Sequence, residues 1–188
     1  QALLQPAADV DSDVRPFRFP VQWVNRPNVS FRGYCGTVAA GRIEPGDRVV
    51  VCPGGRETAV SRIIAFDGDR AVAEAGDAIT LALTDDVDIG RGAILSSPNQ
   101  MPKMADQFAA TLIWFDESPM LPGRRYRIKL GSGAETAAQV TSLRHRIDVE
   151  TLDNQAAREL EINDIGFCNL MLDRVVAFDP YDDDRTTG

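Results

Sequence analysis

The side chains of this chain with the chemistry to make or break bonds are two lysines, one histidine, three cysteines and a few acidic clusters. Nucleotide hydrolysis needs a backbone cradle for the phosphates, a lysine that reaches them and a hydroxyl on magnesium, a set that sequence writes as GxxxxGK[ST]. Lys103 and Lys129 are the only lysines, neither follows a glycine-rich loop, and no DxxG or NKxD motif occurs. Gly131-Ser-Gly-Ala-Glu-Thr136 has the composition of a phosphate loop but lies between two strand-like runs, with no helix N-terminus to hold an anion. It reads as a hairpin connection. His145, the single histidine, sits between Arg144 and Arg146 in a strand-like run with no nucleophile paired to it in sequence, so its reading is structural.

Cys35, Cys52 and Cys168 are odd in number, far apart and each in an apolar context, without CxxC or Cys/His ligand spacing. Free buried thiols in a reducing cytoplasm follow, rather than a metal site or a disulfide framework. Asp85-Asp86 and Asp182-Asp183-Asp184 read as a solvated turn and a charged strand exit, because a hard cation draws six or more oxygens in defined geometry. Trp23 and Trp114, with apolar Val21 and Leu112 two positions away, are expected in or beside the cores. The residues therefore assign no catalytic, cofactor-binding or metal-ligating position to this chain.

The elements that position these side chains are strands. With 188 residues, 44% of them hydrophobic, the chain can bury a core in one large or two small domains, and two is the reading preferred here. From Pro16 onward β-branched and apolar runs alternate with turn residues. Strands are expected near 17–24, 34–40, 47–52, 58–66, 78–84 and 92–96, separated by Glu44-Pro-Gly-Asp47, Pro53-Gly-Gly55 and Asp67-Gly-Asp69. Phe17, Phe19, Val21 and Trp23 alternate onto one face, and Pro20 marks a sheet edge or a bulge because it cannot donate to a ladder. After the polar boundary Ser96–Pro102, further strands are expected near 107–115, 125–130, 134–143, 156–161, 166–172 and 175–178. Short strands with turns between them and no amphipathic helix indicate antiparallel barrels or sandwiches. Residues 1–13 read as the tail of a helix running into a linker.

Charge narrows the partners. The net charge is −8, and neither half of the chain is basic. Nucleic-acid affinity comes largely from phosphate neutralisation, so no nucleic-acid partner is expected; Arg124, Arg125, Arg127, Lys129, Arg144 and Arg146 read as outward strand positions. No apolar run approaches the roughly 18 residues of a membrane span. The chain starts at Gln1 rather than Met, and the expectation is a soluble segment of a longer protein.

The wording itself carries more. Arg15-Pro-Phe-Arg-Phe-Pro-Val-Gln-Trp-Val-Asn-Arg-Pro-Asn28, Phe31-Arg-Gly33, Gly41-Arg-Ile-Glu-Pro-Gly46, Arg62-Ile-Ile-Ala-Phe-Asp-Gly-Asp69, Ala75-Gly-Asp-Ala-Ile79, Asp88-Ile-Gly-Arg-Gly92, Leu121-Pro-Gly-Arg-Arg-Tyr-Arg-Ile-Lys129, Asn163-Asp-Ile-Gly166 and Tyr181–Gly188 occur in that order. This series resembles the large, GTP-hydrolysing subunit of bacterial sulfate adenylyltransferase, over nearly the whole chain. The resemblance implies an all-β fold of two consecutive translation-factor-type barrels, 14–98 and 103–188, after a linker 1–13 from a GTPase domain that lies outside this sequence. It implies that GTP and magnesium bind in that domain, and that a small catalytic subunit transfers the adenylyl group of ATP to sulfate to give adenosine 5'-phosphosulfate. In some relatives an adenylylsulfate kinase is fused to the C-terminal side. Relatives also continue past Gly188 with strands that complete the last barrel, so an open edge is expected near 166–172 or its neighbour. Two other readings stand beside this one: the tRNA-holding barrels of a translation factor, which the acidity disfavours, and a free-standing barrel for protein interaction.

Overall fold

The computed structural model describes residues 15–28 and 31–187, so the linker expected at 1–13 lies outside the described residues. Every regular element among them is a strand. Contacts divide the chain into two units. The first holds the described residues up to Lys103 with Leu130–Ala134 and those from Ala177 onward, and the second holds Met104–Lys129 and Glu135–Val176.

In the first unit, β1 (Arg18–Asn28), β2 (Phe31–Thr37), β4 (Arg48–Cys52), β5 (Arg56–Ala65), β8 (Ala78–Leu83) and β9 (Ile94–Ser96) form an antiparallel ring. The hydrogen-bonded order is β4-β9-β1-β2-β8-β5, and β5 pairs back to β4. Closure removes the free edges that an open sheet would expose. β6 (Gly68–Arg70) extends β5 as a hairpin outside the ring, and β3 (Arg42–Ile43) and β7 (Ala73–Glu74) form a short ribbon. Alternate residues of each strand fill the barrel: Phe17, Phe19, Val21, Tyr34, Val49, Val51, Ile63, Leu81 and Leu95 are buried in one cluster. Each such side chain contributes about 1.5–3 kcal/mol of burial free energy. Gly36 is required where β1 crosses β2, because a Cβ there would run into the Pro20 carbonyl and lie 3.0 Å from the Phe19 ring.

The alternation of β1 breaks where Pro20 announces it. The register passes from Val21↔Gly36 to Trp23↔Cys35, which leaves Gln22 as the extra residue of a bulge. β1 is nonetheless an inner strand, flanked by β9 and β2, so the bulge and not an edge accommodates the proline. One consequence corrects the sequence reading. Val21 and Val24 both face the core, and Trp23, expected in or beside it, is 66% exposed.

The second unit carries β10 (Lys103–Ile113), β11 (Arg125–Lys129), β12 (Glu135–Ile147), β13 (Asn154–Gln155) and β14 (Ile165–Phe178) in the order β10-β14-β12-β11, with β13 on β12. The strand expected at 156–161 is reduced to a single bridge between Met120 and Leu160, and the short strand β13 precedes it. The two strands expected at 166–172 and 175–178 are one. Asp173 and Arg174 between them do not end it, since both are exposed and both are held by the neighbouring strands: Asp173 pairs with Arg125 and Arg174 donates to the Glu135 carbonyl. Residues 165–172 of β14 pair with β12, β14 also has β10 as its neighbour, and the ends of the described sheet fall at β10 and at β11.

Candidate functional site

The most built polar cluster of the first unit joins the start of β1 to the segment after β14. The Arg18 guanidinium donates to Asp179 through Nε at 2.8 Å and Nη2 at 2.9 Å, and through Nη1 to the carbonyls of Phe17 (3.0 Å) and Gln100 (2.7 Å). Thr187 Oγ1 donates to Asp179 at 2.7 Å. Arg18, Asp179 and Thr187 are all buried. Burial alone pushes the Asp179 carboxyl up, but hydrogen bonds from Arg18 and Thr187 and the Arg18 charge outweigh it and hold the group below the usual carboxylate range. Beside this cluster lies a cleft of about 390 Å³ lined by Arg15, Met101, Lys103, Asp183 and Asp184. Its donors and acceptors are of both signs, and no nucleophile stands beside a base. The arrangement organises the chain and offers a place to bind.

The residues singled out by type are scattered. Lys103 lines that cleft, and Lys129 lies on the exposed face of β11 opposite Glu135. Gly131–Thr136 is the connection of the β11–β12 hairpin, closed by Leu130 N–H to the Ala134 carbonyl at 2.9 Å. His145 stacks on Phe167 with ring centroids 5.6 Å apart. Asp86 pairs with Arg32 at 2.7 Å, while Asp184 caps its own turn by accepting from the Thr186 and Thr187 amides at 2.7 and 3.2 Å. Among the described residues no group of three or more His, Cys, Asp or Glu is placed to hold a metal ion. Cys52 and Cys168 are buried, and burial pushes both thiols up, which suppresses the nucleophilic thiolate. Trp114 is half-buried, edge-on to Tyr126 at 5.4 Å, with its indole N–H donated to the Ser118 carbonyl.

No signal in the sequence announced the Arg18–Asp179 pair, because the partners stand 161 positions apart. The outward turn of Trp23 had a faint signal in Pro20, whose bulge shifts the alternation by one.

Comparison with known proteins adds the family. Residues 107–188 match the family model described as GTP-eEF1A C-terminal domain-like. The chain is 50% identical to the bifunctional enzyme NodQ of Rhizobium sp. (strain N33) over 92% of its own length and 27% of that protein. It is 44% identical to sulfate adenylyltransferase subunit 1 of Aeromonas salmonicida (strain A449), over 98% of this chain and 40% of that one. This chain is a homologue of part of sulfate adenylyltransferase subunit 1. The bifunctional enzyme CysN/CysC of Xylella fastidiosa is a further relative of the subunit 1 homologue, 47% identical over 98% of this chain and 29% of that protein. The homologue thus spans well under half the length of these curated relatives. Its fold is that of a translation factor: the structure of sup35 complexed with GDP superposes with a TM-score of 0.82 at 18% identity, over 93% of this chain and 43% of that one. The matched wording falls on structural joints of the subunit 1 homologue, with Arg15–Asn28 forming β1 and its bulge, and Arg62–Asp69 forming the β5–β6 hairpin.

Proposed function

We propose that this chain is the two-barrel portion of the GTP-hydrolysing subunit of a cytoplasmic sulfate adenylyltransferase, with a linker at 1–13 and barrels at 14–98 and 103–188. The observation that carries the reading is 43–50% identity, over nearly the full chain, to proteins named NodQ, CysN/CysC and sulfate adenylyltransferase subunit 1. In the parent protein GTP and magnesium bind to a domain outside this sequence. A separate small subunit transfers the adenylyl group of ATP to sulfate, forming adenosine 5'-phosphosulfate and releasing pyrophosphate.

The barrels convert a nucleotide-dependent change in the GTPase domain into a change felt by the small subunit. A bound γ-phosphate orders switch segments, and barrels that meet those segments differently in the two states shift the population between them. A closed barrel suits this task, because a packed core passes on a displacement rather than absorbing it. The chain itself contributes no bond-making group to the reaction. Calorimetric titration with GTP and magnesium tests this division of labour. The parent protein is expected to bind saturably and the 188-residue segment to give no binding heat; saturable micromolar binding by the segment would overturn it.

A further inference from the structure

Two arginines, one at the start of β1 and one just before it, face two aspartates of the segment after β14, and only one of the two pairs is closed. Arg18 and Asp179 meet through two hydrogen bonds away from water. Arg15 and Asp184 stop at 3.7 Å from Nη1 to Oδ2, too far for a hydrogen bond. All four residues belong to the first unit.

Asp184 holds the costlier position. Its side chain is 8% exposed, against 40% for Arg15. Oδ1 accepts from the Thr186 and Thr187 amides, but Oδ2 is closed to water and accepts from no donor. A buried charged acceptor left in that state keeps neither its hydration nor a replacement for it. The cleft that both residues line leaves the guanidinium room to move. An advance of about 1 Å would give Oδ2 a charge-assisted hydrogen bond of ordinary length.

Closure has a cost of its own, since Arg15 gives up water and side-chain freedom. The two costs oppose each other, so a modest bias from outside decides between open and closed. Arg15 is placed to receive that bias. It is the first described residue, and the function proposed above makes the stretch before it the linker from the GTPase domain. The far end of the pair is wired into the barrel: Asp184 accepts from the Thr187 amide, Thr187 Oγ1 donates to Asp179, Asp179 accepts from Arg18, and Arg18 donates to the Phe17 and Gln100 carbonyls. A displacement of Arg15 thus meets a continuous chain of hydrogen bonds with a two-state element at its head.

We propose that Arg15 and Asp184 form a latch, open in this structure, that closes when a γ-phosphate is bound in the parent protein and fixes the segment after β14 to the barrel only in that state. A γ-phosphate orders the switch segments of its own domain, and the resulting shift reaches this chain through the linker at Arg15. The inference rests on the function proposed above.

The test measures the affinity of the full-length parent protein for GDP and for a non-hydrolysable GTP analogue by calorimetry. Wild type is compared with Arg15→Gln, Asp184→Asn, the double variant and Arg48→Gln. Asp184→Asn keeps a side-chain oxygen for the Thr186 and Thr187 amides and removes the charge that Arg15 would meet. Arg48, paired with Glu57 on the exposed side of the first unit, is the control for loss of a positive charge. Each single latch variant is expected to weaken analogue binding about fivefold or more with GDP affinity unchanged. The double variant should weaken it no further, and Arg48→Gln should bind both nucleotides as wild type does. Unchanged analogue affinity in Arg15→Gln, equal loss for both nucleotides, the same loss in Arg48→Gln, or single effects that multiply in the double variant would each overturn the latch while leaving the proposed function in place. Should Asp184→Asn fail to fold, Arg15→Gln, whose side chain is half-exposed, decides alone. A wild-type parent that binds neither nucleotide would overturn the proposed function and the latch with it.

Discussion

Arg18 and Asp179, 161 residues apart in sequence, meet through two parallel hydrogen bonds of 2.8 and 2.9 Å in a site almost closed to water. The pair ties the first strand of the barrel to the segment that follows the last strand, and Thr187 and the Gln100 carbonyl complete its hydrogen bonding. Removing one member of a buried pair leaves an uncompensated charge, which costs about 3–5 kcal/mol. Arg18→Met is therefore expected to lower the urea midpoint markedly. The double variant Arg18→Met/Asp179→Leu should recover part of the loss, because no lone charge remains. Equal midpoints for wild type and Arg18→Met would remove the pair from the account of stability.

The same pair sets an acid limit. The folded-state pKa of Asp179 lies below its unfolded value, near 3.9. The ionised carboxylate therefore stabilises the fold at pH values above that unfolded value, and the contribution is lost as pH falls through the lower, folded one. Asp179→Asn should flatten the decline of stability below about pH 4 relative to wild type, and chemical denaturation at a series of acidic pH values reads it. Parallel acid profiles would show that Asp179 is not the group responsible.

Two glycines test the turns. Gly46 has φ of +98°, a conformation that side-chain-bearing residues rarely adopt, and Gly36 lies against the Pro20 carbonyl with no room for a methyl group. Gly46→Val and Gly36→Ala are each expected to cost on the order of 1–3 kcal/mol, the first through backbone strain and the second through crowding. Thermal melting should fall by several degrees in both. An unchanged melt in the Gly36 variant would mean that β1 and β2 separate easily.

How far the sequence revealed this architecture depends on the distance over which each feature is decided. Strands and turns are local: Glu44-Pro-Gly-Asp47 falls at a connection, Asp67 at the turn of a hairpin whose strand β6 takes up Gly68 and Asp69, and the alternation of Phe17, Phe19 and Val21 gives the core face of β1 correctly. Alternation failed one step later, at Trp23, because the bulge at Gln22 is settled by the fit of β1 to its neighbour β2. It failed again at 173–174, where two charges resembled a strand end but only mark a solvent-exposed stretch of β14. The Arg18–Asp179 pair is a product of the closed topology, and composition around either residue carries no trace of it. The outward row Trp23, Cys35, Thr80 and Ile64 needed the register of four strands before it could be seen.

The thiols separate by burial. Cys35 is half-buried on the outer face, whereas Cys52 and Cys168 lie in the interior. Under native conditions a thiol reagent should modify Cys35 first, with the other two reacting only on unfolding. Mass spectrometry of the peptides after brief labelling checks the order, and early modification of Cys168 would contradict the packing around β14.

The role proposed for these barrels is to couple GTP turnover to sulfate activation by a separate subunit. Pyrophosphate release from ATP and sulfate, followed in the complex of the full-length parent with the adenylyl-transferring subunit, tests it most directly. Release is expected to rise steeply when GTP is added, and the rise to disappear when the parent protein is left out. Release at the same rate with and without GTP, or with and without the parent, would contradict it.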